Sequence, residues 1–334
     1  MLLLVISLVA FFTSVDLYPV INDAMDVARA EENLRLHLFE GDIKLTNQQK
    51  FLLSHHDQHE IGDSRAMVRN SRMLWEDKLV PYSYNDNLDG AAVDMVQDAI
   101  REWEMNTCLR FKERTDELDY VEFVLDEGCS STVGMYGGPQ TITMGNPDRR
   151  CKVGNIIHEI GHTIGFFHEH SRPDRDEFVK IVFENIMSGF DLNFEKLSLA
   201  EIDSQNVPYD YESIMHYPRR VFTTNGEPTV IPIKEPDVYI GQRIALSDLD
   251  VLQANVLYTC PDLNEDRSVN DKMSSASTLK EKGVLWTKRT KGVKSCSDSH
   301  SEYVCSFIKK KGYCHSYPNI VRKICTKTCK LCSS

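Results

Sequence analysis

The alternation of apolar and polar positions divides this chain into unlike stretches. Leu2 to Phe12 is an apolar run broken only by Ser7, of leader length and too short to cross a bilayer. From Asp16 to Arg65 the sequence is polar and acidic, rich in Gln, Asn and His, with little from which to build a core. Asp89 to Met105 repeats apolar residues at helical spacing, with Val93, Val96, Ile100 and Trp103 on one stripe. This predicts an amphipathic helix whose inner face is core and carries no chemistry. Asp119 to Leu125 alternates as a half-buried strand does. A short strand is expected over Thr141 to Met144, after a glycine-rich run from Cys129 to Gly138. Pro261 to Ser295 is polar, with Ser, Lys, Asp and Asn, and reads as a linker.

One run carries more than pattern: His158-Glu159-Ile160-Gly161-His162-Thr163-Ile164-Gly165-Phe166-Phe167-His168-Glu169. On a helix four residues advance about 6 Å and turn about 400°, so His158 and His162 project from one face. Two imidazoles so placed can grip one metal ion, with Glu159 beside them to act on a bound water. Gly165 lies where the helix must stop, because glycine enters left-handed backbone without steric cost. That turn can bring back His168 as the third ligand. Three neutral nitrogens with one open position make a catalytic zinc arrangement, whereas structural zinc sites fill all four. The same extended motif predicts a Met-turn downstream, and Ser213-Ile214-Met215-His216-Tyr217 supplies it.

On HEIGHTIGFFHEHSRPDRD, from His158 to Asp176, and SIMHY, from Ser213 to Tyr217, the chain resembles the astacin family of zinc endopeptidases among the metzincins. The likeness runs from about residue 66 to Cys260. It implies an α+β fold, a two-lobed metzincin protease domain with one Zn2+ held by His158, His162 and His168. Glu159 would be the general base toward the zinc-bound water. Tyr217 would ligate the resting zinc and swing away to stabilise the oxyanion. Met215 would be a packing residue beneath the metal, and His216 is assigned no role.

The resemblance also orders the remaining stretches. Phe39-Glu40-Gly41-Asp42-Ile43-Lys44-Leu45 is similar to the family's pro-segment motif, whose aspartate, here Asp42, binds the zinc of the zymogen. Trp75 followed by the strand Leu79 to Tyr84 places the mature start at Ala66, after Arg65, where a trypsin-like activating protease could cut; Arg69 and Arg72 compete. The freed ammonium would then pair with Glu169. The strand near the glycine-rich run would be an open edge that takes an extended peptide substrate by β-augmentation. Ser247 to Tyr258 resembles the closing helix, with Ser247 as N-cap and Asp250 three residues on. Four cysteines alone allow three pairings; the likeness implies Cys108–Cys260 and Cys129–Cys151.

Composition adds compartment and partners. The net charge is -12, unevenly spread. From Pro261 onward 15 Lys and Arg face 7 Asp and Glu, a net +8, leaving 23 against 43, or -20, for the body. So acidic a body argues against a nucleic-acid partner. Ten cysteines, six of them in the last 39 residues, point to an oxidising compartment. With the leader, taken as residues 1–15, they indicate a secreted protein, extracellular or stored in a secretory or venom compartment. No later apolar stretch has transmembrane length, and no N-glycosylation sequon occurs.

The domain layout expected is therefore leader 1–15, pro-segment 16–65, catalytic domain 66–260, linker 261–295 and a cysteine-rich module 296–332. Six cysteines allow fifteen connectivities. Their spacing, with Asp298 after the first and the run Thr328 to Cys332 at the end, resembles the ShKT domain, which implies Cys296–Cys332, Cys305–Cys325 and Cys314–Cys329. So small a fold needs cross-links, because it buries little core. The Lys-Tyr pair of channel-blocking toxins is replaced by Asn319 and Ile320, which argues against channel block. The module's ligand is unknown, and the linker implies that it stands apart from the cleft. The leading reading is a secreted zinc endopeptidase made as a zymogen. The alternative is a binding or toxin protein in which the module works on a vestigial protease.

Overall fold

The computed structural model describes residues 38–46, 71–197 and 207–261, and in the tail residues 298, 305, 308–310, 312–316, 321 and 325–331. The leader, Arg65, Ala66, nearly all of the linker, Cys296 and Cys332 lie outside the described residues.

The upper lobe is a sheet backed by two helices. Its strands are Leu79–Tyr84 (β1), Arg110–Glu113 (β2), Tyr120–Val124 (β3), Cys129–Ser130 (β4), Pro139–Asn146 (β5) and Arg149–Arg150 (β6). The order is β2-β1-β3-β5-β4, with β6 paired to β5. The first four strands in this order run parallel, and β4 closes the edge antiparallel to β5. The third strand alternates as its sequence does, with Val121 and Phe123 buried. The fifth is longer than its apolar stretch predicts, because pairing with β3, β4 and β6 carries the extended backbone past Met144.

Helix Gly90–Asn106 (α1) starts at Asp89, whose carboxylate accepts from Ala92 N at 2.9 Å, satisfying one of the free donors at a helix start. Its inner stripe is Ala92, Val96, Ala99, Ile100 and Trp103. Val93 sits on the shoulder, half-buried rather than in the core. Against this stripe packs Val153–Thr163 (α2), and Trp103 Nε1 donates to Ile157 O at 3.0 Å. A buried indole needs such a partner for its N–H.

Beyond α2 the lower lobe has little regular structure. Among its described residues, single helical turns alternate with one antiparallel strand pair, Val179–Ile181 (β7) and Val230–Pro232 (β8). Its core is aromatic: Phe178 stacks on Tyr209 and Phe190 on Phe222, each pair with centroids 4.6 Å apart. The lobe ends in Asp248–Leu257 (α3), where Ser247 Oγ accepts from Asp250 N and Asp250 accepts from Ser247 N. Disulfides join Cys108 to Cys260 and Cys129 to Cys151.

In the tail, Cys305–Cys325 and Cys314–Cys329 brace a short helix, Tyr313–Ser316 (α4). Asp298 accepts from Lys327 N, Thr328 N and Thr328 Oγ1. The module touches the rest of the chain at α3. Ile308 and Val321 pack into one apolar cluster with Leu249 and Leu252 of α3.

Candidate metal centre

The last turns of α2 present His158 and His162 from one face, ring centroids 4.7 Å apart. The helix then ends on Gly165 at φ 112°. Gly165 N donates to His162 O, and Phe166 N to Gly161 O. These two bonds close the helix end with its last carbonyls satisfied. The reversal returns His168, whose ring centroid lies 4.7 Å from that of His162 and 5.1 Å from that of His158.

Every Nδ1 of the three rings faces an oxygen. That of His158 donates to Ile214 O at 2.8 Å, that of His162 to Phe166 O at 2.8 Å, and that of His168 to Glu40 Oε2 at 2.7 Å. A proton on Nδ1 leaves the Nε2 lone pair free, the form that binds metals. The three Nε2 atoms converge on Asp42, with Oδ2 3.2 Å from His158 and 3.3 Å from His168, and Oδ1 3.5 Å from His162. One ligand atom from each of the four residues lies within 4.8 Å of the others. His162 Nε2, His168 Nε2 and Asp42 Oδ1 are buried without a hydrogen-bond partner. Orphaned buried polar atoms are costly, and three nitrogens with one carboxylate oxygen suit zinc. Burial would depress His168, yet Asp42 and Glu40 beside it raise it to about 9. Burial instead holds His158 well below its ordinary value and His162 below it.

Below the helix lies the turn from Ser213 to Tyr217. Met215 packs so close that a side chain on Gly161 would meet its sulfur at 2.7 Å, which gives the glycine between Ile160 and His162 its reason. Met215 O accepts from Glu169 N, tying the turn to the residue after His168. The turn is held by Asp250 of α3, which accepts from Ser213 Oγ at 2.7 Å and Ile214 N at 2.9 Å. His216 points away from the cluster, to Tyr209 Oη and Tyr217 O.

Glu159 is buried beside the histidines, and its Oε2 accepts from Ser131 Oγ at 3.0 Å. Burial pushes this carboxyl well above its ordinary value, and the charge of Asp42 pushes it further. The Tyr217 hydroxyl donates to the Glu40 carbonyl. Its ring stacks on His170 at 3.7 Å. Glu169 Oε1 accepts from Arg172 at 2.9 Å and Asp210 N at 2.8 Å. Burial raises its carboxyl to about 7 while Arg172 draws it down. Ala66, the expected partner of Glu169, lies outside the described residues.

Three residues at this centre escaped the sequence reading. Glu40, almost wholly buried, bonds His168 and donates nothing itself; its second oxygen accepts from Ser171 Oγ. It lies inside the quoted pro-segment motif, so its position was visible though its contacts were not. Ser131 bridges by backbone as well as side chain: its N donates to Asp42 O at 3.0 Å and its O accepts from Lys44 N at 2.7 Å. Residues 42–44 therefore lie against the sheet edge beyond β4, bridged in parallel. Arg172 is buried on Glu169 and Asp174, and only its place in HEHSRPD marks it.

Comparison with known proteins agrees with this geometry. The model of the peptidase family described as Astacin matches residues 67–259, and that described as ShK domain-like matches residues 295–332. Zinc metalloproteinase nas-13 of Caenorhabditis elegans is 35% identical over 81% of this chain and 66% of that protein. Nematocyst expressed protein 6 of Nematostella vectensis is 38% identical over 67% of this chain and 78% of its own length. Bone morphogenetic protein 1 of Xenopus laevis is 42% identical over 61% of this chain. The chain spans about two thirds of the first of these and 29% of the last. High choriolytic enzyme 1, a hatching enzyme zinc-protease of Oryzias latipes, aligns with a TM-score of 0.52 and 38% identity, covering 57% of this chain and 92% of its own.

Proposed function

The chain belongs to the astacin family of zinc peptidases, and from that premise we propose that it is a secreted endopeptidase made as a zymogen. The observation that carries this reading is the convergence of three Nε2 atoms and the Asp42 carboxylate on one point, with Glu159 alongside. His158, His162 and His168 would hold the zinc, with the Asp42 carboxylate joining them until the pro-segment leaves. Zinc, when bound, acts as a Lewis acid and brings the pKa of a bound water from 15.7 to about 7.

The rest is done by the chain. Glu159, desolvated and bonded to Ser131 through one oxygen, takes the proton of the attacking water on its carboxylate and returns it to the leaving amine. Tyr217 loses its acceptor when Glu40 departs, and its hydroxyl is then free to donate to the developing oxyanion. The Ser131 N and O, which now pair with residues 42–44, pair with the backbone of an extended substrate. Cutting at Arg65 frees the Ala66 ammonium for Glu169, whose carboxyl is held high by burial. The disulfides fit an oxidising, extracellular setting.

Hydrolysis of a peptide library by the matured protein tests this reading and also reports cleavage preference. Activity should vanish with a chelator and return with zinc. Glu159→Gln should bind zinc yet lose roughly 100- to 10,000-fold in kcat; a near wild-type rate overturns the mechanism, whereas a matured wild type with no zinc-dependent hydrolysis would favour a binding protein on a vestigial protease. Tyr217→Phe should lower kcat by about 100-fold with KM little changed. A pure KM effect would remove the hydroxyl from the transition state.

A further inference from the structure

Helix α3 is apolar on two faces. Ala254, Leu257 and Tyr258 join the core of the upper lobe. Leu249, Leu252 and Val256, at spacings of three and four, make a second stripe that this core does not use. A helix apolar all round is one that is covered all round. The second stripe and Val207 meet Cys305, Ile308, Val321 and Cys325 of the tail, and those four tail residues are fully buried. So small a module has too little interior for a core of its own; it shares one with α3.

The shared cluster leads to the metal centre by two routes. Next to Leu249, Asp250 turns its carboxylate to Ser213 Oγ and Ile214 N, and Ile214 O fixes His158 Nδ1 at 2.8 Å. Val207 O accepts from Arg172 Nη2 at 3.1 Å, and Arg172 Nη1 holds Glu169, whose N bonds Met215 O. We propose that the ShK-like module is a docked brace: it covers the outer face of α3 and, through Asp250 and Ile214, steadies His158 as a zinc ligand. The inference concerns metal retention and stands whether or not the protein cleaves peptides.

Two readouts test it in the full chain: amide exchange across residues 248–257 and zinc loss to a competing chelator. Ile308→Asp puts a charge into the shared cluster. Both rates should rise about tenfold, the order seen when a group supporting a metal ligand is lost. Lys309→Asp, at an exposed neighbour, should change neither. Joined with Asp250→Asn, Ile308→Asp should add little further zinc loss, because the two act in series. Wild-type exchange and zinc loss in a folded Ile308→Asp protein would overturn the proposal. If that variant is not recovered, a protease site placed within residues 270–290 and cut after folding replaces it. Every described disulfide falls within one part or the other. Parts that stay together on a sizing column support the docking, and so do parts that separate with both rates raised. Separation with both rates unchanged overturns it.

Discussion

Two sets of carboxylates serve the three histidines, a front set directly and a rear set through the surrounding chain, and the two are built differently. In front, Asp42 and Glu40 come from one short described segment, residues 38–46, held to the body by the pairing at Ser131 and by their own side chains. Behind, Glu169, Asp210 and Asp250 belong to the domain and are tied to Arg172, Ser213, Ser247 and backbone N–H groups. The front pair engages groups that the proposed mechanism uses: the metal-facing nitrogens, the Nδ1 of His168 and the Tyr217 hydroxyl. The rear set engages groups needed for shape. On the proposed reading one set leaves with the pro-segment and the other stays. If so, front substitutions should alter only the proenzyme and vanish on maturation, whereas rear ones should persist.

The largest effect is expected behind. Arg172 is 2% exposed, and its guanidinium spans Glu169, both oxygens of Asp174 and the carbonyls of Val207 and Pro208. Arg172→Ala would strand Glu169 in the interior, and removing one partner of a buried pair costs about 3–5 kcal/mol. For a domain of this size that is a fall of roughly 10 °C in Tm. Thermal melts of both the proenzyme and the matured form should show it. An unchanged melt, or a loss confined to the proenzyme, would break the distinction.

The contrast also marks what the sequence could reveal. The histidines lie within eleven residues on a helix and its terminal turn, so local geometry alone brings them together. Strand β3 and helix α1 follow periods of two and 3.6. The lower lobe has no such period: Phe178 meets Tyr209 and Phe190 meets Phe222 across about 30 positions of irregular chain. Ser131 reads as one polar residue in a glycine-rich stretch until the sheet carries it to Glu159 and Asp42. Glu169 was legible through its motif, but its partner Arg172 was not, since a charge three residues on is usually solvated. The second apolar stripe of α3 was present in the pattern, and only the placement of the tail showed what covers it.

In front, Asp42→Ala should give the smaller but cleaner result. An uncut proenzyme keeps a carboxylate on the cation, which alanine cannot replace. Losing even about 1.4 kcal/mol of that hold opens the site tenfold more often. Peptide hydrolysis by the uncut variant, with cleavage at Arg65 blocked by Arg65→Ala, should therefore rise by about tenfold or more. After maturation at an engineered site the rate should equal wild type, since residue 42 is gone. An uncut Asp42→Ala protein as silent as wild type, with zinc present, would place inhibition elsewhere in the segment.

Glu40→Gln should have the smallest effect, and it separates charge from shape on the front side. Glu40 accepts two hydrogen bonds, from His168 Nδ1 and Ser171 Oγ. Glutamine can keep its oxygen toward His168 and turn its amide to Ser171, whose hydroxyl then accepts instead of donating. Only the charge assistance is lost, about 1 kcal/mol. The uncut variant should leak roughly fivefold more activity than the wild-type proenzyme, less than Asp42→Ala. Glu40→Leu should leak more, because it leaves the His168 N–H and the Ser171 hydroxyl buried without partners. The matured forms of both should match wild type in kcat and KM. If either matured variant differed, the segment would not leave the site, and the division between a removable front and a permanent back would fail. If Glu40→Gln leaked as much as Asp42→Ala, the charge on Glu40, rather than the carboxylate facing the three Nε2 atoms, would hold the front closed.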